Sequence, residues 1–195
     1  MTTSSFTLPR FVSERFAQKS AIRNIGLVVA ASLLIAISAQ IAIPLQPVPM
    51  TLQPVAILLV GAALGSSRGA AAAALYLVEG LSGMPVFAGG AAGPAVFLGP
   101  TAGYLLAFPA AAWIAGLASE RGWARSMMTT IPPMILAVAT IHLGGWAWLA
   151  TAMGLGAQKA FMLGVAPFWA SDILKIAIAA TTLPAAHGLL SRSRP

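Results

Sequence analysis

Cysteine is absent from this 195-residue chain, and charge is scarce. Without cysteine there is no disulfide, no thiolate metal site and no cysteine nucleophile. Two histidines, His142 and His187, stand too far apart in sequence to suggest a histidine-based metal centre, so no metal site is expected. Charged residues make up 8% of the chain, against about 25% in typical soluble domains, while apolar and aromatic types reach 58%. Eleven basic and four acidic side chains cannot cover the surface of a soluble fold of this length. An ordinary soluble enzyme is excluded on that ground, and the chain belongs in a bilayer.

What is present is a succession of apolar blocks. Residues 1–24 are polar, hold Arg10, Glu14, Arg15, Lys19 and Arg23, and read as a cytoplasmic arm, with a short interfacial helix as the alternative. The uncharged run 25–43 exceeds the roughly 7–15 apolar residues of a signal peptide and is expected to be a retained first spanning helix. Five more helices are predicted over residues 51–65, 69–81, 101–119, 127–150 and 164–190, with 191–195 as a short cytoplasmic tail. The second and third fall short of the ~20 residues of a perpendicular span. They either borrow residues from flanking loops or form a partial hairpin packed inside the bundle. The predicted class is an all-α integral membrane protein, a six-transmembrane-helix bundle over residues 25–190 with an outward-facing pocket.

Charge position sets the orientation. With six crossings both termini share a side, and loops rich in Lys and Arg lie in the cytoplasm. The N-terminal arm, the Arg68 turn, the Arg121/Arg125 loop and the Arg192/Arg194 tail hold nine of the eleven basic residues. On the opposite side, residues 44–50 and 82–100 carry no charge, and 151–163 carry Lys159 alone. Both termini are therefore predicted to be cytoplasmic. The same asymmetry explains the net charge of +7 as a topology signal, so no nucleic-acid partner is expected.

The outer loops are unusual in composition. Residues 43–49 contain three prolines, which prevent helix continuation and favour extended backbone. Residues 83–103 contain six glycines and three prolines, a backbone able to lie close to a ligand. Non-helical chain at a membrane is tolerated where it is buried in protein or lines a cavity. Two such loops on one face suggest a lid over a pocket; the alternative is a pair of apolar connectors.

Three charged residues interrupt the predicted spans: Glu79, Asp172 and Lys175. Charge in a span is costly, which makes each a functional candidate. Asp172 and Lys175 are three apart and share a helix face. Asp172 lies about 12 Å below the outer start of its helix, and Glu79 falls in the same outer half. An anion and a cation with a second anion at matching depth can converge on one small polar ligand. They can equally form an ion pair that holds the third and sixth helices together. Gln46, Thr51, Gln53, Phe87, Tyr104, Phe168 and Trp169 surround that level, and an apolar cavity with a few aimed polar groups is the usual small-molecule site.

Several motifs are missing or misleading. No G-x-x-x-x-G-K-[ST] is present, so ATP hydrolysis by the P-loop route is excluded. Gly65-Ser66-Ser67-Arg68-Gly69 matches G-x-S-x-G but joins two predicted helices, where the nucleophile elbow needs a strand-to-helix turn. It is read as a cytoplasmic turn. No internal repeat is visible, which argues against a carrier built of two matching halves. A lone bundle with an outward pocket looks like a capture subunit that needs another protein to power release.

Four ordered motifs carry a family resemblance: Pro47-Val48-Pro49-Met50-Thr51-Leu52-Gln53, Gly83-Met84-Pro85-Val86-Phe87-Ala88-Gly89-Gly90, Leu98-Gly99-Pro100-Thr101-Ala102-Gly103-Tyr104 and Asp172-Ile173-Leu174-Lys175. Together they resemble the BioY family, the biotin-binding S components of energy-coupling factor (ECF) transporters. The resemblance covers about residues 25–190. It implies a six-helix subunit of a prokaryotic cell membrane that binds biotin near the outer surface, with no cofactor. It also implies, as partners, a transmembrane coupling subunit and two cytoplasmic ATPases. On that footing Asp172 and Lys175 face the ureido ring, since an ionised Asp accepts N–H bonds and Lys only donates. Gln53, Glu79 and Tyr104 are further expected lining residues, and Phe87, Ala88, Gly89 and Gly90 would cover the ligand. Glu79 departs from the family pattern, where an apolar residue is common, so its alternative role is to serve Lys175. The family's A-x-x-x-A docking surface on the first helix has only relaxed equivalents, Gly26-x-x-x-Ala30, Ser32-x-x-x-Ala36 and Ser38-x-x-x-Ala42.

Two other readings use the same residues. An intramembrane enzyme would employ Asp172 and Glu79 as acid and base, but no second reactive constellation accompanies them. A self-sufficient channel or carrier would need polar groups in both membrane halves, and the inner half has almost none.

Overall fold

The computed structural model describes the backbone of residues 10–192 and the side chains of residues 21–185. Residues 1–9 and 193–195, and the side chains of the first part of the arm and of His187, lie outside the described residues. Within them the helices are α1 (Arg10–Ala39), α2 (Gln53–Leu64), α3 (Ser66–Leu81), α4 (Ala102–Glu120), α5 (Met127–Thr151), α6 (Ala157–Gly164) and α7 (Trp169–Arg192). Two short strands, β1 (Ala42–Ile43) and β2 (Met50–Thr51), pair antiparallel with Ala42 opposite Thr51 and Ile43 opposite Met50.

Among the described residues, four stretches are long and apolar enough to cross a membrane: Ala21–Ala39, Ala102–Glu120, Met127–Thr151 and Ala157–Ala185. The last joins α6 to α7 through one 3₁₀ turn at Ala166–Phe168, where Pro167 interrupts the regular helix. Helix α2 is the inner one of the two short helices, and α3 lies outside it against α1 and α4. The 12 residues of α2 rise only about 18 Å, well short of a ~30 Å hydrocarbon core. Val55, Ile57, Leu58 and Val60 of α2 are buried against protein. Of the two expectations, α2 fits a segment packed inside the bundle, whereas α3 takes residues from the flanking turn, beginning at Ser66, and leaves Val78 and Leu81 exposed on its outer face. With α6 and α7 counted as one pass, six helical passes result.

Helix α4 is the central element, packed on α2, α3 and α5. Without a hydrophobic force between helices in lipid, close van der Waals packing between small residues holds them together. At Gly61 the fit is tight enough that a Cβ would stand 2.3 Å from the Ala112 carbonyl oxygen. Gly65, at φ +86°, turns the chain from α2 into α3. The Ser66 backbone N–H donates to Glu120 Oε1 at 2.7 Å, and Ser66 Oγ lies 3.0 Å from both carboxylate oxygens. The G-x-S-x-G segment is thus a helix–helix turn held by the end of α4, as the sequence suggests. Arg68 Nη1 donates to Asn24 Oδ1 at 3.3 Å, bringing the start of the apolar part of α1 to the same end.

Three boundaries differ from expectation. Helix α1 runs unbroken across residues 24 and 25, so the arm and the first span share one helix from Arg10 onward. Helix α1 then stops at Ala39, because residues 42–51 fold back as a proline-rich hairpin in place of extending the helix to residue 43. Residues 157–164, read as outer loop, form α6; Gly154 and Gly156, at φ +67° and +73°, end the α5 pass and restart the chain as a separate helix.

Candidate ligand-binding site

The cavity is assembled at the end of the bundle where the hairpin and the glycine-rich loop meet. It encloses about 310 Å³, at the small end of the ~300–1,000 Å³ range of small-molecule sites. Val48, Pro49, Thr51 and Gln53 border it from the hairpin and the start of α2. Phe87, Ala88 and Ala91 border it from the loop; Tyr104, Leu105 and Phe108 from α4; Ile141 and His142 from α5; and Phe168, Asp172 and Lys175 from α7 and the turn before it. Most of the lining is apolar or aromatic, which leaves few groups to orient a ligand.

Asp172 and Lys175 supply the charge. They are 8% and 6% exposed, and Lys175 Nζ donates to Asp172 Oδ1 at 3.1 Å. Their spacing on one helix face makes the pair possible, and burial in a membrane span makes pairing obligatory for both ions. Lys175 Nζ also stands 6.0 Å from the centroid of the Phe168 ring, within cation–π range. One carboxylate oxygen and one ammonium proton satisfy each other, so acceptor and donor capacity remains side by side. That arrangement suits a ligand edge carrying both an N–H and a C=O.

Around this pair the neutral groups are fixed by their own bonds. Thr51 Oγ1 donates to Gln53 Oε1 at 3.0 Å, and Gln53 Nε2 donates to Tyr76 Oη at 2.7 Å. Tyr76 Oη in turn donates to the Val86 carbonyl at 3.3 Å, tying α2 and α3 to the loop. Tyr104 donates to the Gly164 carbonyl at 2.6 Å, which stations its ring beside the cavity. The loop is seated by Phe87, 2% exposed, edge-on to Tyr76 with centroids 5.4 Å apart and to Phe97 at 5.7 Å. Trp148 Nε1 donates to the Gly99 carbonyl at 3.0 Å and holds the loop's far end to α5.

Six of the nine expected residues border the cavity: Asp172, Lys175, Gln53, Phe87, Ala88 and Tyr104. Gly89 and Gly90 do not; they lie in the exposed part of the loop, at φ +68° and +74°, and give it its turn. Glu79 is also elsewhere. It faces α1, where Ser32 Oγ donates to Glu79 Oε1 at 2.9 Å and Oε2 is buried without a partner among the described residues. It therefore pairs neither with the cavity nor with Lys175. Helical rotation explains this: Tyr76 and Gly80 carry the face of α3 turned toward the loop, and Glu79 is turned away from Gly80 by one residue's step of about 100°.

The residue that sequence reasoning passed over is His142. Its Nε2 lies 2.5 Å from Asp172 Oδ2, so the carboxylate is held on one side by Lys175 and on the other by α5. The signal was available. A histidine within the fifth apolar segment is an ionisable group in a span, to which the same rule applies as to Asp172. In the sequence alone, its distance from His187 speaks only against a metal site and says nothing of Asp172.

Fold and site together define a helical membrane protein with a partly open, mainly apolar cavity that carries one buried charge pair. The family model described as the BioY family matches residues 11–192, and the chain belongs to that family. It is similar to the "Probable biotin transporter BioY" of Pyrococcus horikoshii, 41% identical over 157 residues that cover 80% of this chain and 91% of that protein. It is 35% identical to the "Biotin transporter BioY" of Thermotoga maritima, with 75% of this chain and 85% of that one covered. Among solved structures, the S-component for biotin from an ECF-type ABC transporter shares the fold. The TM-score is 0.78 at 22% identity, covering 87% of this chain and 93% of that one.

Proposed function

We propose that this protein captures biotin at the outer face of a prokaryotic cell membrane, as the S component of an ATP-driven ECF importer. The observation that carries the reading is the buried Asp172–Lys175 pair set into an otherwise apolar cavity. Biotin's ureido ring offers N–H donors beside a C=O acceptor, which complements a carboxylate beside an ammonium. Its thiophane ring and aliphatic chain suit Leu105, Phe108, Phe87 and Ile141. The names of the curated relatives support the ligand, and the ECF-type fold neighbour supports the assembly.

In this reading Asp172 accepts a ureido N–H, Lys175 donates to the ureido oxygen, and Gln53 and Tyr104 line the remainder. The loop around Phe87 and Ala88 covers the bound molecule. Binding is the chain's whole task; a coupling subunit and a pair of cytoplasmic ATPases supply the energy. Both termini are cytoplasmic, residues 1–24 form the inner arm, residues 25–190 the membrane domain and residues 191–195 the tail. The basic residues at the α2–α3 turn and after α4 support that orientation.

The test is direct. Protein purified in detergent is denatured, the supernatant is assayed for released biotin, and emptied protein is titrated with biotin by calorimetry. Released biotin and saturable rebinding are expected. Absence of both overturns the reading.

A further inference from the structure

His142 sits where two spaces nearly meet. On its inner side is the ligand cavity; on its outer side is an open apolar groove of about 570 Å³ between α5 and the α6–α7 pass. Leu143, Phe161, Trp169 and Ile173 line that groove. Val138, His142 and Asp172 border both spaces, so the wall between them is one layer of side chains thick. In that layer the His142–Asp172 contact is the one side-chain hydrogen bond between α5 and α7 among the described residues.

The hydrogen-bond pattern assigns the imidazole proton. Asp172 Oδ2 is an acceptor, so Nε2 carries the hydrogen, and Nδ1 is buried with no partner among the described residues. A hydrogen on Nδ1 would be a buried donor without an acceptor, which is the costlier arrangement. The ring is held in that pose by aromatic neighbours: Tyr104 edge-on at 6.2 Å and Phe168 tilted at 5.6 Å between centroids. Lys175 cannot fix the carboxylate alone, because it rides on the same helix and moves with it.

We propose that His142 is a positioning and specificity-determining residue of the cavity. From α5, its Nε2–H fixes the Asp172 carboxylate and occupies one acceptor position on Oδ2. The ligand then meets a carboxylate in a single orientation with reduced acceptor capacity beside the Lys175 ammonium. That favours a neutral ureido edge over a cationic analogue that brings more donors. This inference rests on the biotin reading for its choice of probes, while the hydrogen bond itself does not.

The experiment compares biotin with iminobiotin, in which C=NH replaces the ureido C=O. His142→Phe keeps the ring and removes the donor. It is expected to weaken biotin roughly 10- to 100-fold, and to weaken iminobiotin much less, so that the preference for biotin shrinks. His142→Gln, which keeps a donor at similar reach, is expected to restore affinity and preference together. A purely packing role would lower both affinities in parallel and leave their ratio unchanged, which overturns the proposal, as does wild-type behaviour of His142→Phe. If His142→Phe does not fold, His142→Asn, too short to reach Oδ2, replaces it in the comparison with His142→Gln. Nitrogen-15 spectra of histidine-labelled wild-type protein give an independent readout, with His187→Gln assigning the signals. A hydrogen on Nε2 and a bare Nδ1 are expected, and a hydrogen on Nδ1 in their place overturns the proposal. If wild-type protein binds no biotin, the functional reading fails, and these spectra still test the Nε2–H bond to Asp172 by which His142 positions the carboxylate.

Discussion

Gln40, the first residue beyond α1, holds the backbone of Phe87. Its Nε2 lies 3.1 Å from the Phe87 carbonyl oxygen and 3.3 Å from that of Val86, and its Oε1 accepts from the Gly90 N–H at 3.2 Å. One amide side chain thus uses both its ends on the glycine-rich loop. Because Phe87 borders the cavity, the end of α1 is mechanically joined to the loop that forms part of its wall.

Gln40→Ala removes these contacts while leaving the cavity lining intact. At about 1 kcal/mol for a typical hydrogen bond, the loop loses roughly 1–2 kcal/mol of the stability of its seat on the bundle. Release of bound biotin is expected to accelerate about 5- to 30-fold, with a smaller change in association rate. A chase of labelled biotin from detergent-solubilised protein measures both. Unchanged release would detach the loop from Gln40's function.

Asp172→Asn and Lys175→Met each leave one buried polar group without its ion partner. The expected loss in biotin affinity is about 1–3 kcal/mol for each, the cost of an unsatisfied buried group. Because the two side chains bond each other, the double variant is expected to cost less than the sum of the singles. Calorimetric titration of the four proteins closes this cycle. Strict additivity would show that the residues act on separate parts of the ligand.

Much of this site is legible in the sequence because charge in a membrane span is rare and expensive. Asp172 and Lys175 stand out for that reason, and the helical spacing of three puts them on one face. Gln53 and Tyr104 follow from their positions next to the loops. What the sequence conceals is rotation and cross-helix pairing. Glu79 satisfies every compositional criterion that Asp172 does, yet its helix face turns it to Ser32 on α1. His142 pairs with Asp172 across 30 positions of sequence, a relation that no local spacing encodes. The α6 helix is hidden because an eight-residue segment bounded by glycine carries the same composition as a loop.

Glu79→Gln tests the rotation argument. The amide keeps an acceptor for Ser32 Oγ, and the residue lies off the cavity. Biotin affinity is expected to stay within about twofold of wild type, well under the tenfold that 1.4 kcal/mol represents. A loss of tenfold or more would return Glu79 to the binding site. Thermal unfolding in detergent reports separately on its part in the α1–α3 contact.

Gly80 of α3 faces the ring of Phe87 so closely that a Cβ there would lie 2.0 Å from ring atom Cζ. The Gly80 carbonyl also accepts from the Gly93 N–H at 2.8 Å, so both the ring and the backbone of the loop rest on this point. The Phe87 ring is packed T-shaped against both Tyr76 and Phe97, which restricts its turning to make room for Gly80→Ala. The ring must leave its seat, at a cost of about 1–3 kcal/mol for overpacking, and the loop shifts with it. Biotin affinity is expected to fall roughly tenfold or more while α3 itself stays helical, since alanine is the better helix former. Adding Phe87→Leu to Gly80→Ala makes room for the new methyl and is expected to recover part of the loss. By itself, Phe87→Leu should weaken binding through the cavity left behind. Two harmful substitutions that relieve each other would place the defect at this contact. If the double variant is instead as weak as the two losses summed, Gly80 acts on the site by a route other than the Phe87 ring.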